Sequence, residues 1–279
     1  KDWAKQYVWR RMAQCNQKLR RKDTLKLAVA HWTRLTKPIG STKSRFFREA
    51  VEGLIECYSE LGEFDKASAA LAPLAQMGPE SALLAKVYRA KIAEKKAGSP
   101  NDFSTAATKY DEVLKSNDPE PSDEVKAMAL AGVARCSADA KSWGKAGGAA
   151  GRLIKISESQ EVPDEAVAVA YQVRGESKLR GLLSVQPKAL SEDKEKLGRV
   201  MEGMMDMLRP LVQYEGSDWA EQRALYYVGL WSEKLDAAGQ AGDNVGWVKR
   251  ARTVYTQLRV KYPKSKWAKM AGERLEKLK

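Results

Sequence analysis

Few residues in this chain could do covalent chemistry. His31 is the single histidine in 279 residues, so a Ser/His/Asp or Cys/His arrangement would have to use it, and nothing around it reads as a strained nucleophile turn. It is read as a half-exposed side chain on a packed helix. Two S-x-x-K spacings occur, Ser142–Lys145 and Ser191–Lys194, without the S-D-N or K-T-G companions that give that spacing a catalytic meaning. The run Gly144 to Gly151 is glycine-rich but lacks Gly-Lys-Ser/Thr and falls inside a helical pattern, where a phosphate loop would follow a strand. It predicts close helix approach. Cys15, Cys57 and Cys136 are too far apart for a C-x-x-C metal site. Cys57 and Cys136 each precede a repeat alanine by ten residues and are expected to be small core fillers. The expectation is a non-enzyme with no cofactor and no metal.

Charge is the stronger signal. Glu49, Glu52, Glu56 and Glu60 follow one another at three, four and four residues, which puts them on one helix face. Four like charges on one face repel modestly, so the stripe invites a basic partner segment; a plain solvated face, or an internal match to Arg10, Arg11 and Arg45, is the alternative. The net charge of +13 is uneven. Residues 1–48 carry fourteen Lys/Arg against two acids, and residues 249–279 carry eleven against two. Between them, 24 basic residues face 32 acidic ones. Such a distribution steers acidic partners to the ends, and Arg20–Arg21–Lys22 with Lys18 and Lys26 could touch phosphates.

The elements that position these residues follow a recurrent seven-residue pattern of a small, a bulky and an aliphatic residue. It reads Ala28–Trp32–Leu35, Ala67–Leu71–Leu74, Ala106–Tyr110–Val113, Ala146–Ala150–Leu153, Met204–Leu208–Leu211 and Ala251–Tyr255–Leu258. The first four alanines lie 39, 39 and 40 residues apart, a period in the range of helical repeat arrays. Each unit would be a helical hairpin that buries its apolar stripe only against a neighbour.

The expected hairpins cover about 2–37, 44–78, 80–116, 122–158, 163–213 and 217–262, with a capping helix over 264–279. In the first, Trp3, Tyr7, Met12, Cys15 and Leu19 share one side, Asp23 is the expected N-cap of the second helix, and 37–44 is a connector. Residues 183–196 are expected to form an exposed, mobile loop. No stretch approaches the ~20 apolar residues of a membrane span.

The second hairpin resembles the tetratricopeptide repeat: Leu54, Tyr58, Gly62, Phe64, Ala67, Leu71 and Pro79 match that family's core, turn and terminating residues in order. The other hairpins match the second-helix triplet and the terminating residues, and their period exceeds the ~34 residues of the standard unit. The phrase Tyr214-Glu-Gly-Ser217-Asp-Trp219-Ala220 returns as Tyr262-Pro-Lys-Ser265-Lys-Trp267-Ala268. It is similar to the inter-repeat phrase of bacterial cell-envelope tetratricopeptide proteins, including outer-membrane assembly lipoproteins and Tol–Pal-associated proteins. In that phrase the serine would cap the next helix and the tryptophan would wedge between hairpins.

The resemblance implies an all-α, right-handed superhelix of about six hairpins forming a single solenoid. First helices would line a concave groove, with Arg10, Gln17, Arg20 and Arg21 making one end basic and Glu49, Glu52, Glu56 and Glu60 making the next acidic. The function implied is a non-catalytic scaffold that holds a protein or peptide segment by anchors and charge register. The glutamates count against the family's carboxylate clamp, which needs Lys, Arg and Asn. The location implied is the periplasm or cell envelope of a bacterium, with the cytoplasm as alternative. The chain starts at Lys1 without initiator Met, signal-type apolar region or lipid-attachment Cys, which reads as processing or trimming. Binding of nucleic acid or an anionic surface by the two basic ends is the first rival function. An enzyme built on coupled carboxylates of the glutamate stripe is the second.

Overall fold

In the computed structural model, residues 2–38, 44–214, 216–240 and 246–278 are described. The core of the 37–44 connector, Glu215 of the repeated phrase, and residues 241–245 inside the last hairpin lie outside them. The described chain is all-helical, with no strand. It divides into two compact units, 1–125 and 126–279.

In the first unit α1 (Asp2–Lys18), α2 (Lys22–Thr36), α3 (Phe47–Glu60), α4 (Phe64–Ala69), α5 (Leu71–Ala75), α6 (Pro79–Lys96) and α7 (Pro100–Leu114) follow in order. Sequence neighbours pack on each other: α1 on α2, α2 on α3, α3 on α4 and α5, α5 on α6, and α6 on α7. The helix ends have local causes. Gly62 sits at φ +76°, a left-handed conformation glycine adopts without a Cβ penalty. It lets the Glu63 N–H reach back to the Tyr58 carbonyl at 2.8 Å. Pro79 and Pro100 occupy first turns, and Ser99 caps α7 in a reciprocal box with Asp102. The second helix of the expected 44–78 hairpin is split into α4 and α5. Pro73 lacks the N–H and crowds the carbonyl four residues back, at Ala69.

The second unit takes up α8 (Asp123–Asp139), whose first residues belong to the first, and continues with α9 (Trp143–Ser157) and α10 (Asp164–Arg180). After the short α11 (Pro187–Ser191) come α12 (Lys194–Val212), α13 (Asp218–Ala237), α14 (Trp247–Lys261) and α15 (Lys266–Lys277). Here α10 packs on α9, α12 and α13, and α13 on α12, α14 and α15. The phrase serines behave as expected: Ser217 and Ser265 accept from the N–H groups of Ala220 and Ala268 at 3.3 and 3.0 Å.

The repeat triplets form the core. All fifteen residues of the first four triplets and the last are buried, as is Met204, while Leu208 and Leu211 are partly buried. Cys57 and Cys136 are buried as well; Cys15 is exposed, and none forms a disulfide. Burial pushes the Cys57 thiol up to about 12.

Four expectations are corrected. Thr24 closes the start of α2, its hydroxyl accepting from the Arg21 N–H at 3.2 Å; Asp23 sits inside the first turn beside Arg21. Residues 183–196 are not an exposed loop: α11 buries Leu190 completely, and Leu183 and Val185 pack on the same core. Trp3, Tyr7, Met12, Cys15 and Leu19 do not share one side: all five are exposed, the first two on a different face from the other three, and the helix packs through Gln6, Ala13 and the partly buried Trp9.

The fourth concerns α9. A Cβ added at Gly144, Gly148 or Gly151 would meet nothing within 4 Å, and at Gly147 only Ser177 at 3.6 Å. The close approaches lie elsewhere. At Gly53 a Cβ would stand 2.5 Å from the Trp32 ring, and at Gly229 2.5 Å from the Tyr255 ring. In α9 glycine therefore costs helix propensity without a packing return. Gly148→Ala with Gly151→Ala should raise stability by about 1–2 kcal/mol in total, measured as the shift in urea midpoint.

Candidate functional site: a charge ladder on three helices

The glutamate stripe of α3 lies between α1 and α6, and every glutamate in it is engaged from one side or both. From α1, Arg10 Nε donates to Glu49 Oε2 and Gln14 Nε2 to Glu49 Oε1, both at 2.7 Å. One turn on, Gln17 Nε2 donates to Glu56 Oε2 at 2.8 Å. From α6, Lys91 takes the other Glu56 oxygen at 2.8 Å, Lys95 takes Glu60 at 2.6 Å, and the Tyr88 hydroxyl reaches Glu52 at 3.3 Å. Arg48 pairs with Glu52 within α3 at 2.8 Å. Glu56 thus joins three helices through its two oxygens.

Six of the eight sequence-predicted residues are therefore brought together: Arg10, Gln17, Glu49, Glu52, Glu56 and Glu60. Arg20 acts on Glu56 through its charge. Arg21 stays apart, paired with Asp23 at 3.1 Å. Of the internal matches considered from sequence, Arg10 is the one realised; Arg11 bonds Gln14 at 3.4 Å and Arg45 lies over the Phe46 ring at 5.0 Å. The partners Gln14, Lys91 and Lys95 were missed. Lys91 and Lys95 repeat the spacing of Glu56 and Glu60 with a 35-residue offset, a signal that charge register between helices one repeat apart could have supplied.

Electrostatics separates two neighbouring glutamates. Burial pushes the Glu56 carboxyl up, but Lys91, Gln17 and Arg20 outweigh it and leave it below the ordinary value. Burial also pushes Glu52 up, and there Arg48 and Tyr88 compensate only in part. The stabilisation from Glu56 is therefore present above the unfolded carboxylate pKa and is lost as pH falls through the lower folded value. For Glu52 the sign reverses: its contribution is present below the unfolded value and lost as pH rises through the folded one. Glu56→Gln should cost about 1–2 kcal/mol at neutral pH, whereas Glu52→Gln should be neutral or stabilising. The difference between the two variants should shrink as pH falls through the lowered folded value of Glu56, as read from denaturant midpoints.

A second charged cluster, missed from sequence, lies inside the second unit. Arg223 on α13 is 5 % exposed and donates to both Glu176 oxygens at 2.6 Å and to Asp139 at 2.9 Å. The two tryptophans of the repeated phrase flank it, with ring centroids 4.5 Å (Trp219) and 5.0 Å (Trp267) from the guanidinium. Trp219 also donates to Asp139 at 2.9 Å. The expected wedges are thus the walls of an arginine clamp. One signal was available: α10 is apolar on all sides over Ala166–Tyr171, so Glu176 on the next turn had to be paired. Next to it lies a cavity of about 270 Å³ walled largely by Trp143, Leu179, Met207, Tyr227 and Trp231.

Burial and the charge of Arg34 lower the His31 pKa, and its Nδ1 is enclosed without a hydrogen-bond partner. Among the described residues no group of three His, Cys, Asp or Glu is placed to hold a metal ion, and no helix is long and apolar enough to cross a membrane. No family model, no curated protein and no solved structure matches the chain, so its chemistry is read from its own residues.

Proposed function

We propose that the chain is a non-catalytic scaffold of tetratricopeptide-like architecture, a right-handed superhelix of hairpins that holds a segment of a partner protein across the face of α1, α3 and α6. One observation carries this reading. Trp3 and Tyr7, 64 % and 46 % exposed, fall in the same i, i+4, i+7, i+11, i+14 row of α1 as Arg10, Gln14 and Gln17. Two aromatic anchors therefore stand uncovered at the end of a ladder of alternating charge. Aromatic anchors supply affinity, and a charge ladder supplies register.

The ladder suits exchange. Side chains of Glu49, Glu56 and Glu60 keep about a third of their surface in water, where an ion pair is worth about 0–1 kcal/mol. A lysine or arginine of the partner can replace Lys91 or Lys95 at small cost. A cell-envelope setting follows only from the likeness of the repeated phrase.

The test is capture by the immobilised chain at about 50 and about 200 mM salt, scoring protein and nucleic acid. A protein species held at both salts and lost from a Trp3→Ala/Tyr7→Ala variant of unchanged helicity supports the scaffold. Nucleic acid held only at low salt, with the variant binding equally, would transfer the function to the basic ends.

A further inference from the structure

The first helix carries a second row of exposed apolar side chains, separate from the one just described. Among the described residues twelve large apolar side chains are exposed, and five of them lie between Trp3 and Leu19. Trp3 and Tyr7 belong to the ladder face. Val8 and Met12 are 51 % and 43 % exposed and form with the exposed Cys15 an i, i+4, i+7 row, which Leu19, 61 % exposed in the turn that ends α1, continues at i+11. At 100° per residue the row spans about 60° and stands about 150° around the helix from the ladder row. It is turned away from Gln6 and Ala13, through which α1 packs.

Three features of this row point to its occupant. A strip this narrow, repeating every three to four residues, is the seam of a two-helix contact; helices that lie in a membrane surface have broader apolar faces. Its borders are basic, with Lys5, Arg11 and Lys18 all exposed. The only acid of α1, Asp2, lies 3.9 Å from Lys5. A second copy docking through the same seam would set these cations against themselves, whereas acidic flanks on the incoming helix would pair with them.

We infer that the Val8–Met12–Cys15–Leu19 row is a docking seam for an amphipathic, acid-flanked helix of another protein. The seam is independent of the ladder face: a partner segment on Trp3 and Tyr7 leaves it open.

Two labelled synthetic peptides of three heptads test this against the full chain by fluorescence anisotropy, both with the same leucine row, one flanked by Glu and the other by Lys. The Glu-flanked peptide should bind about tenfold or more tightly than the Lys-flanked one at low salt. Met12→Asp with Leu19→Asp, both at exposed positions, should abolish binding, and Trp3→Ala/Tyr7→Ala should not change it. Lys5→Glu/Arg11→Glu/Lys18→Glu should reverse the preference. Failure of the Glu-flanked peptide to bind, or equal binding of both, would overturn the inference. So would a dimer of the chain by light scattering that Met12→Asp/Leu19→Asp splits, or binding to phosphatidylglycerol vesicles with neither peptide bound.

Discussion

Arg223→Met is expected to lower the unfolding free energy by about 3–5 kcal/mol, read from the denaturant midpoint at constant slope. The guanidinium is enclosed by Trp219 and Trp267 and satisfies Glu176 and Asp139 together. Removing it leaves the Glu176 carboxylate, 4 % exposed, without a cation, and a buried unpaired charge is far costlier than the pair it came from. The pair itself is worth much less than this loss suggests, because taking both ions out of water offsets most of their attraction. Adding Glu176→Leu and Asp139→Asn to Arg223→Met should therefore recover most of the stability. Equal losses in the single and triple variants would mean that packing of the arginine stem, and not charge, holds α8, α10 and α13 together.

Trp32→Ala is expected to cost about 3–5 kcal/mol, and Trp32→Phe about 1 kcal/mol. The side chain is 2 % exposed and its ring lies flat where Gly53 leaves room for it, so truncation opens a cavity between α2 and α3. The smaller change trims the ring and removes one bond, from the indole N–H to Gln17 Oε1 at 3.0 Å. That bond fixes which way the Gln17 amide points, and so presents its NH₂ to Glu56. Trp32→Phe should thus loosen the α1 side of the ladder while leaving the Lys91–Glu56 pair in place. Helicity and unfolding midpoint, measured with and without Lys91→Met, separate the two contributions. Strict additivity of Trp32→Phe and Lys91→Met would deny that Gln17 and Lys91 act on one carboxylate.

Much of this was legible in the residue order. The small–bulky–aliphatic triplets set the second helices and the core because only a 3.6-residue period places the three on one side. The six ladder residues were legible as a stripe and its basic opposite, though their pairing was not. Pairing depends on the stagger of helices 35 or 39 residues apart, which no local pattern carries. The expected apolar side of α1 was misread because apolar spacing does not report what covers a residue: Ala13, Gln6 and the partly buried Trp9 dock the helix, and Trp3, Tyr7, Val8 and Met12 are left outside. Residues 183–196 were misread for the opposite reason. A single buried leucine, Leu190, anchors a segment whose composition is otherwise that of a loop.

A partner segment is proposed to lie on the face that α1 shares with α3 and α6. A photoreactive phenylalanine analogue in place of Tyr7, and separately in place of the exposed Thr105 on α7, tests it in the cells that make the protein. One discrete adduct is expected from position 7, absent when Trp3→Ala is combined with it, and none from position 105. Adducts from both positions alike, or from position 105 alone, would contradict it.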